Sequence, residues 1–226
     1  MKILQINAVY EYSSTGRTTT EMHQYFLDNG IDSYVAACNI NDGDKTIRLG
    51  GRLSNRIHSF MSHLTGRQGY FSYLSTQRLI RRIRKIKPDI VHLRVLHSNC
   101  IHLPLLLSYL AENDICTVLT LHDCWYFTGH CCYFTDSGCD HWKSGCGNCP
   151  DLKNWNSSWF FDSSSRNLYE KKKLWSNIRR LAVVGVSNWV TNFLEDSILS
   201  NAMIKKRIYN WMYARHEHCL TGASPE

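Results

Sequence analysis

Six of the ten cysteines of this 226-residue chain, with three histidines and two tryptophans, fall between Thr120 and Pro150, in TLHDCWYFTGHCCYFTDSGCDHWKSGCGNCP. Residues of these types do two kinds of chemistry. Thiolates and imidazoles hold soft metal ions, and a His beside an Asp can donate and accept hydrogen bonds at a reacting group. Cys131, Cys139, Cys146 and Cys149 follow the spacing C-x7-C-x6-C-x2-C, ending in Cys-Gly-Asn-Cys-Pro. Two residues between the last pair, one of them Gly, let both sulfurs turn toward one tetrahedral ion, so these four are the candidate ligands of a structural zinc. Reduced packing thiols are the main rival reading, and an iron–sulfur site a minor one. The segment has neither helical nor alternating periodicity. A loop of that length is functional or held by something other than a core, and it is expected to bury no core of its own.

The elements around it alternate strand and helix. Lys2–Asn7 reads as a short strand, followed by a polar turn, Ser13-Ser14-Thr15-Gly16-Arg17, and a helix through Met22, Tyr25, Phe26 and Leu27. Further strands are expected at 33–38, weakly at 45–49, at 88–93 behind a helix-closing proline, at 116–121 and at 181–186, with helices at 101–113 and 163–180. Ser187 is the expected N-cap of one more helix. This order predicts an α/β fold, a Rossmann-like parallel sheet with helices on both faces, in which ligands sit beyond the carboxyl ends of the strands. His122 and Asp123 lie at such an end, which makes His122 the main candidate for an active-site residue with Asp123 beside it.

Two stretches are strongly basic. Leu53, Ile57, Phe60, Met61 and Leu64 recur at helical spacing among Arg52, Arg56, His58 and His63, and Leu79, Ile80, Ile83 and Ile86 are flanked by Arg78, Arg81, Arg82, Arg84, Lys85 and Lys87. One such helix ordinarily buries its stripe and hydrates its charges. Two in succession, in a chain of net charge +7, point to an anionic surface. A hydrophobic content of 43% with 20% charged residues is globular, and no apolar run approaches the roughly 20 residues that span a bilayer. With no signal peptide, the cysteines read as thiols, metal ligands or core residues, in the cytoplasm.

The run Leu121-His122-Asp123, Trp125, Phe127-Thr128-Gly129-His130-Cys131, then Cys139, Trp142 and Gly145-Cys146-Gly147-Asn148-Cys149-Pro150 resembles bacterial polysaccharide glycosyltransferases of the fourth retaining family, which have the two-domain GT-B fold. Pro88-Asp89-Ile90-Val91-His92-Leu93 with His97, and Val184-Gly185-Val186-Ser187-Asn188-Trp189, resemble that family's fourth-strand region and its entry into the last helix of the N-terminal domain. Arg94 and Ser98-Asn99-Cys100 depart from the His and Gly-rich turn usual there. The resemblance implies the acceptor-side, N-terminal half of a GT-B fold over residues 1–210, with the Cys-rich loop at 122–150 and an irregular tail at 211–226 beyond a hinge at Ile208–Trp211. It further implies a nucleotide sugar as co-substrate, a polysaccharide or lipid-linked sugar as acceptor, and a place at the inner face of the cell membrane. Gly16, Arg17, His97 and Ser187 become the donor-phosphate or acceptor-binding residues, and His122 the centre of the site. The second domain, with its Arg-Lys pair and Glu-x7-Glu pattern, has no counterpart, so the expectation is half an enzyme, inactive alone. The alternative is a non-catalytic zinc-bearing module that binds nucleic acid or another polyanion; under the glycosyltransferase reading no nucleic acid is expected. An independent one-domain hydrolase has neither a Gly-x-Ser-x-Gly elbow nor a metal-binding helix motif in its favour.

Overall fold

A computed structural model describes residues 1–154, 156–202 and 204–207. Trp155, Met203, the expected hinge at 208–211 and the tail lie outside the described residues. The strands are β1 (Lys2–Ile6), β2 (Asp32–Ala37), β3 (Thr46–Arg48), β4 (Ile90–Leu93), β5 (Cys116–Leu121), β6 (Leu181–Gly185) and β7 (Ile204–Arg207). All pair in parallel, in the order β3-β2-β1-β4-β5-β6-β7. Chain order runs outward from β1 on one side and from β4 on the other, so the order reverses between these two. In a doubly wound sheet that reversal opens the crevice where ligands bind, and its right-handed crossovers place helices on both faces. The fold is the Rossmann-like α/β fold expected, consistent with the N-terminal half of a GT-B enzyme.

The central strands are fully covered. Leu4, Ile6, Val91, Leu93, Leu119 and Leu121 are completely buried, which is why their segments read as near-continuous apolar runs. The helices are α1 (Ser13–Asp28), α2 (Arg52–Thr65), α3 (Tyr73–Ile86), α4 (Leu103–Glu112), α5 (Ser164–Ser176) and α6 (Asn188–Asn192). Helix α3 behaves as its pattern predicts: Leu79, Ile80, Ile83 and Ile86 are buried. It ends where Lys87 takes a left-handed conformation (φ 52°), its N–H bonding the Ile83 carbonyl, and Pro88 forbids another turn.

Three expectations are corrected. The polar residues 13–17 are the first turn of α1 and not a loop; the loop is 7–12. Gly16 holds a helical position where a Cβ would stand 3.3 Å from Val9 Cγ2 and 3.4 Å from the Glu11 nitrogen, so a side chain would press on the loop. Helix α2 leaves much of its stripe uncovered: Leu53, Ile57 and Phe60 are exposed (72%, 53% and 53%) and Met61 and Leu64 half-buried, whereas His58 and Ser62 are buried. His58 explains this orientation, because its Nδ1 bonds Ser72 Oγ at 2.6 Å and its Nε2 accepts from the Gly69 nitrogen at 3.2 Å. The Cys-rich loop does bury a core of its own. Phe134 and Trp142 pack at 5.1 Å against each other and at 5.0 and 5.6 Å against Phe193, and Phe127 joins Trp142 at 5.3 Å.

Candidate functional site

The reversal between β1 and β4 is fastened by Asn7, just past the end of β1. Its Nδ2 donates to the carbonyls of Val9 (2.8 Å) and Thr15 (3.1 Å) and to Thr19 Oγ1 (2.9 Å), while its Oδ1 accepts from the Val95 nitrogen at 3.1 Å. One buried amide thus ties the loop after β1, the start of α1 and the segment after β4 into one frame.

Within that frame lies Arg94, buried at 3% exposure. Its guanidinium donates to Thr18 Oγ1 and to Met22 Sδ (3.2 Å) on α1, and to His122 Nε2 at 3.4 Å. A guanidinium has no acceptor, so His122 Nε2 must accept and the ring proton sits on Nδ1. Burial first, then the Arg94 charge, bring His122 down to about 4 against the opposing pull of Asp123. The imidazole is therefore neutral near pH 7 and presents an N–H. Arg94 itself is lowered to about 10 by burial, and its Nε has no hydrogen-bond partner among the described residues.

Asp123 does not orient His122. One carboxylate oxygen accepts from His97 Nε2 at 2.8 Å and the other from the Trp125 nitrogen at 2.9 Å. Burial works to raise this carboxyl, but the His97 hydrogen bond and charge and the Trp125 N–H outweigh it and hold Asp123 below its ordinary range. The pairing aligns the His97 ring against Trp125, with centroids 5.6 Å apart. Beneath the indole, fully buried Lys171 of α5 donates to the carbonyls of Trp125 (2.6 Å) and Thr128 (3.0 Å), its Nζ lying 3.8 Å from the ring centroid. Burial brings this lysine down to about 7.

Of the expected residues, the structure groups His122, Asp123 and His97 at the carboxyl ends of β4 and β5. Gly16 is buried at the start of α1, and Arg17 beside it is exposed. Ser187 is the N-cap of α6, its Oγ accepting from the Val190 nitrogen at 3.4 Å. Arg94 and Lys171 are the residues that sequence reasoning missed. The one signal for Arg94 was its departure from the residue type usual at that position; Lys171 lies in a Lys-Lys-Lys run, where nothing marks the buried member.

Cys131, Cys139, Cys146 and Cys149 line one small cavity together with His130, His141, Trp142, Gly147 and Ser164. The nine described cysteines are free. Burial pushes the thiols of Cys131 to about 11 and Cys149 to about 12, and raises Cys146 as well. A second grouping lies in the cleft: His97, Asp123 and Cys132 place ligand atoms within 4.8 Å of one another. His97 and Asp123 are already bonded to each other there.

Against this geometry, a family model described as Glycosyltransferase Family 4 matches residues 15–198, a span that runs from the first turn of α1 past α6. No curated protein matches the sequence significantly.

Proposed function

The chain belongs to glycosyltransferase family 4, and from that premise we propose that it forms the acceptor-side half of a retaining, sugar-nucleotide-dependent glycosyltransferase of bacterial cell-surface polysaccharide synthesis. The observation that carries this reading is His122: a neutral imidazole, its proton fixed on Nδ1 by Arg94, at the carboxyl end of β5 beside the sheet's reversal. In transfer, the bond between the anomeric carbon and the donor's phosphate oxygen breaks and that carbon joins an acceptor hydroxyl, whose proton leaves with the nucleoside diphosphate. His122 Nδ1–H donates to a hydroxyl of the transferred sugar or to the donor phosphate. Arg94 raises the local potential where negative charge develops on the leaving group. The N-terminus of α1, with Gly16 and no acidic residue in its first turn, offers backbone N–H groups to the phosphates. His97, held by Asp123 and Trp125, faces the acceptor.

Preorganised positive groups are the largest expected source of stabilisation for the departing diphosphate, and in this reading a donor-binding domain supplies most of them. The 226-residue chain is therefore expected to transfer no sugar by itself, and to transfer it when joined in frame to a donor-binding domain of the family. The measurement is incorporation of labelled sugar from UDP- and GDP-sugars into a lipid-linked acceptor. Robust transfer by the chain alone would overturn the division of labour; no transfer from any donor with several such domains would overturn the activity.

The same reading places the protein on an anionic membrane. No helix of the described residues is long and apolar enough to cross a bilayer, but α2 exposes Leu53, Ile57 and Phe60 alongside exposed Arg52 and Arg56, and the segment 159–161 extends this surface. Trp159 packs on Phe60 at 5.6 Å and stacks on His63 at 5.4 Å, with Phe160 and Phe161 exposed beside it. An exposed apolar ridge framed by basic residues suits a lipid interface, and each basic residue near an anionic surface contributes about 1 kcal/mol, screened by salt. Sedimentation with vesicles containing anionic lipid is expected to exceed that with neutral vesicles at low salt and to fade as salt rises. Phe60→Ser with Ile57→Ser is expected to abolish it; equal sedimentation with both vesicle types would remove the membrane from the reading.

A further inference from the structure

We propose that Cys131, Cys139, Cys146 and Cys149 bind one zinc ion in the small cavity they line, a structural site separate from the His122 cleft. The fold brings together four thiols spread over nineteen positions of sequence, although the loop's aromatic core, made by Phe127, Phe134, Trp142 and Phe193, already holds its other side. Packing alone gives no reason for all four to border the same space. The cavity measures ≈ 10 Å³, about the volume that one water-sized sphere requires. The turn bearing Cys146 and Cys149 has Cys146, Gly147 and Asn148 at φ 54°, 102° and 47°. Gly147 adopts its angle freely and Asn148 tolerates it, so the cost of the turn falls mainly on Cys146. The turn is anchored by the Gly147 nitrogen on Ser164 Oγ (3.0 Å) and the Cys149 nitrogen on Asp162 Oδ2 (2.8 Å).

A further observation suits a bound ion. His130, 3% exposed, borders the cavity, and its Nε2 is buried without a hydrogen-bond partner among the described residues. An ion held in the cavity, or its thiolate ligands, would satisfy that nitrogen in either tautomer. Lys171 is buried with its Nζ bonded only to the Trp125 and Thr128 carbonyls, and no carboxylate forms an ion pair with it among the described residues. Binding exchanges four thiol protons for one Zn²⁺, releases four protons and leaves a cluster of charge −2. Zinc–sulfur bonds of about 2.3 Å require the sulfurs closer together than they stand: the ligand atoms that already lie within 4.8 Å of one another are those of His97, Asp123 and Cys132. Cys139, Cys146 and Cys149, on half-exposed turns, close toward Cys131 when the ion enters.

The test uses the full chain purified without a histidine tag. Elemental analysis is expected to give about one zinc per chain and little iron, and Co²⁺ substitution is expected to give the intense thiolate-to-cobalt charge-transfer absorption of a tetrahedral all-sulfur site. Cys146→Ser with Cys149→Ser is expected to lower zinc to below a tenth of an equivalent, while Cys100→Ser and Cys132→Ser leave it unchanged. His130→Gln is expected to weaken binding about 10- to 100-fold without abolishing it. Should the double variant fail to fold, the metal ratio and cobalt spectrum of the unaltered chain decide. Zinc below a tenth of an equivalent after refolding with Zn²⁺, iron in its place, or a cobalt spectrum without sulfur charge transfer would overturn the site. So would loss of metal in Cys132→Ser with retention in the double variant, which would move the ion to the His97–Asp123 cleft.

Discussion

Gly129→Ala lowers the free energy of unfolding by about 3 kcal/mol or more, the largest stability loss expected of any single methyl group added to this chain. The new Cβ would stand 2.1 Å from the Ser164 carbonyl oxygen and 2.7 Å from its carbon. No flexible side chain can yield there, because both contacts are backbone atoms at the start of α5. Moving either partner is costly. Thr128 is fixed by its Oγ1 on the Cys131 carbonyl (2.6 Å) and by Lys171 on its own carbonyl, and Ser164 by the Asp162 carboxylate on its nitrogen at 2.8 Å. Overpacking that side chains can absorb costs about 1–3 kcal/mol, and a backbone clash lies at or above that range. Urea unfolding followed by tryptophan fluorescence measures it; a loss under about 1 kcal/mol would mean that the loop and α5 are not packed as described.

His122→Ala, in the chain joined to a donor-binding domain, reduces sugar transfer by about 10²- to 10³-fold, the loss typical when one preorganised donor is removed from a developing charge. The expected fall is mainly in kcat, since a hydrogen bond that strengthens as the diphosphate leaves acts on the transition state more than on binding. His122→Asn, which keeps a short N–H donor, is expected to retain more activity than alanine. A reduction of less than about fivefold by His122→Ala, with folding intact, would remove this residue from the chemistry and leave Arg94 as the principal charge in the cleft.

The parts legible in the sequence were those that one segment decides by itself. β1, β4 and β5 announced themselves because parallel strands buried on both faces are apolar throughout, and α3 because its stripe and its core-facing side coincide. Ser187 was legible as a cap because Ser, followed by helical residues, has one common use. What escaped depended on partners distant in sequence. The stripe of α2 was visible, but which face the protein covers was decided by His58 meeting Ser72 and Gly69. Gly16 is a poor helix residue, and only the approach of Val9 and Tyr10 shows why a helix carries it. Asp123 is a candidate for standing next to His122, yet its partner is His97, on the segment after the neighbouring strand. Nothing in the sequence marks Arg94 or Lys171 as enclosed, since most such residues face solvent, and only the fold makes them site residues.

The partly uncovered stripe of α2 separates two tasks that amphipathic helices usually combine. What seats this helix is an imidazole with a partner on each nitrogen, so its greasy ridge carries little responsibility for folding. That ridge is free to change in composition with whatever it touches. Variants could retune the affinity and selectivity of attachment over a wide range while the domain beneath keeps its stability, whereas altering His58 would unseat the helix and with it every contact the ridge makes.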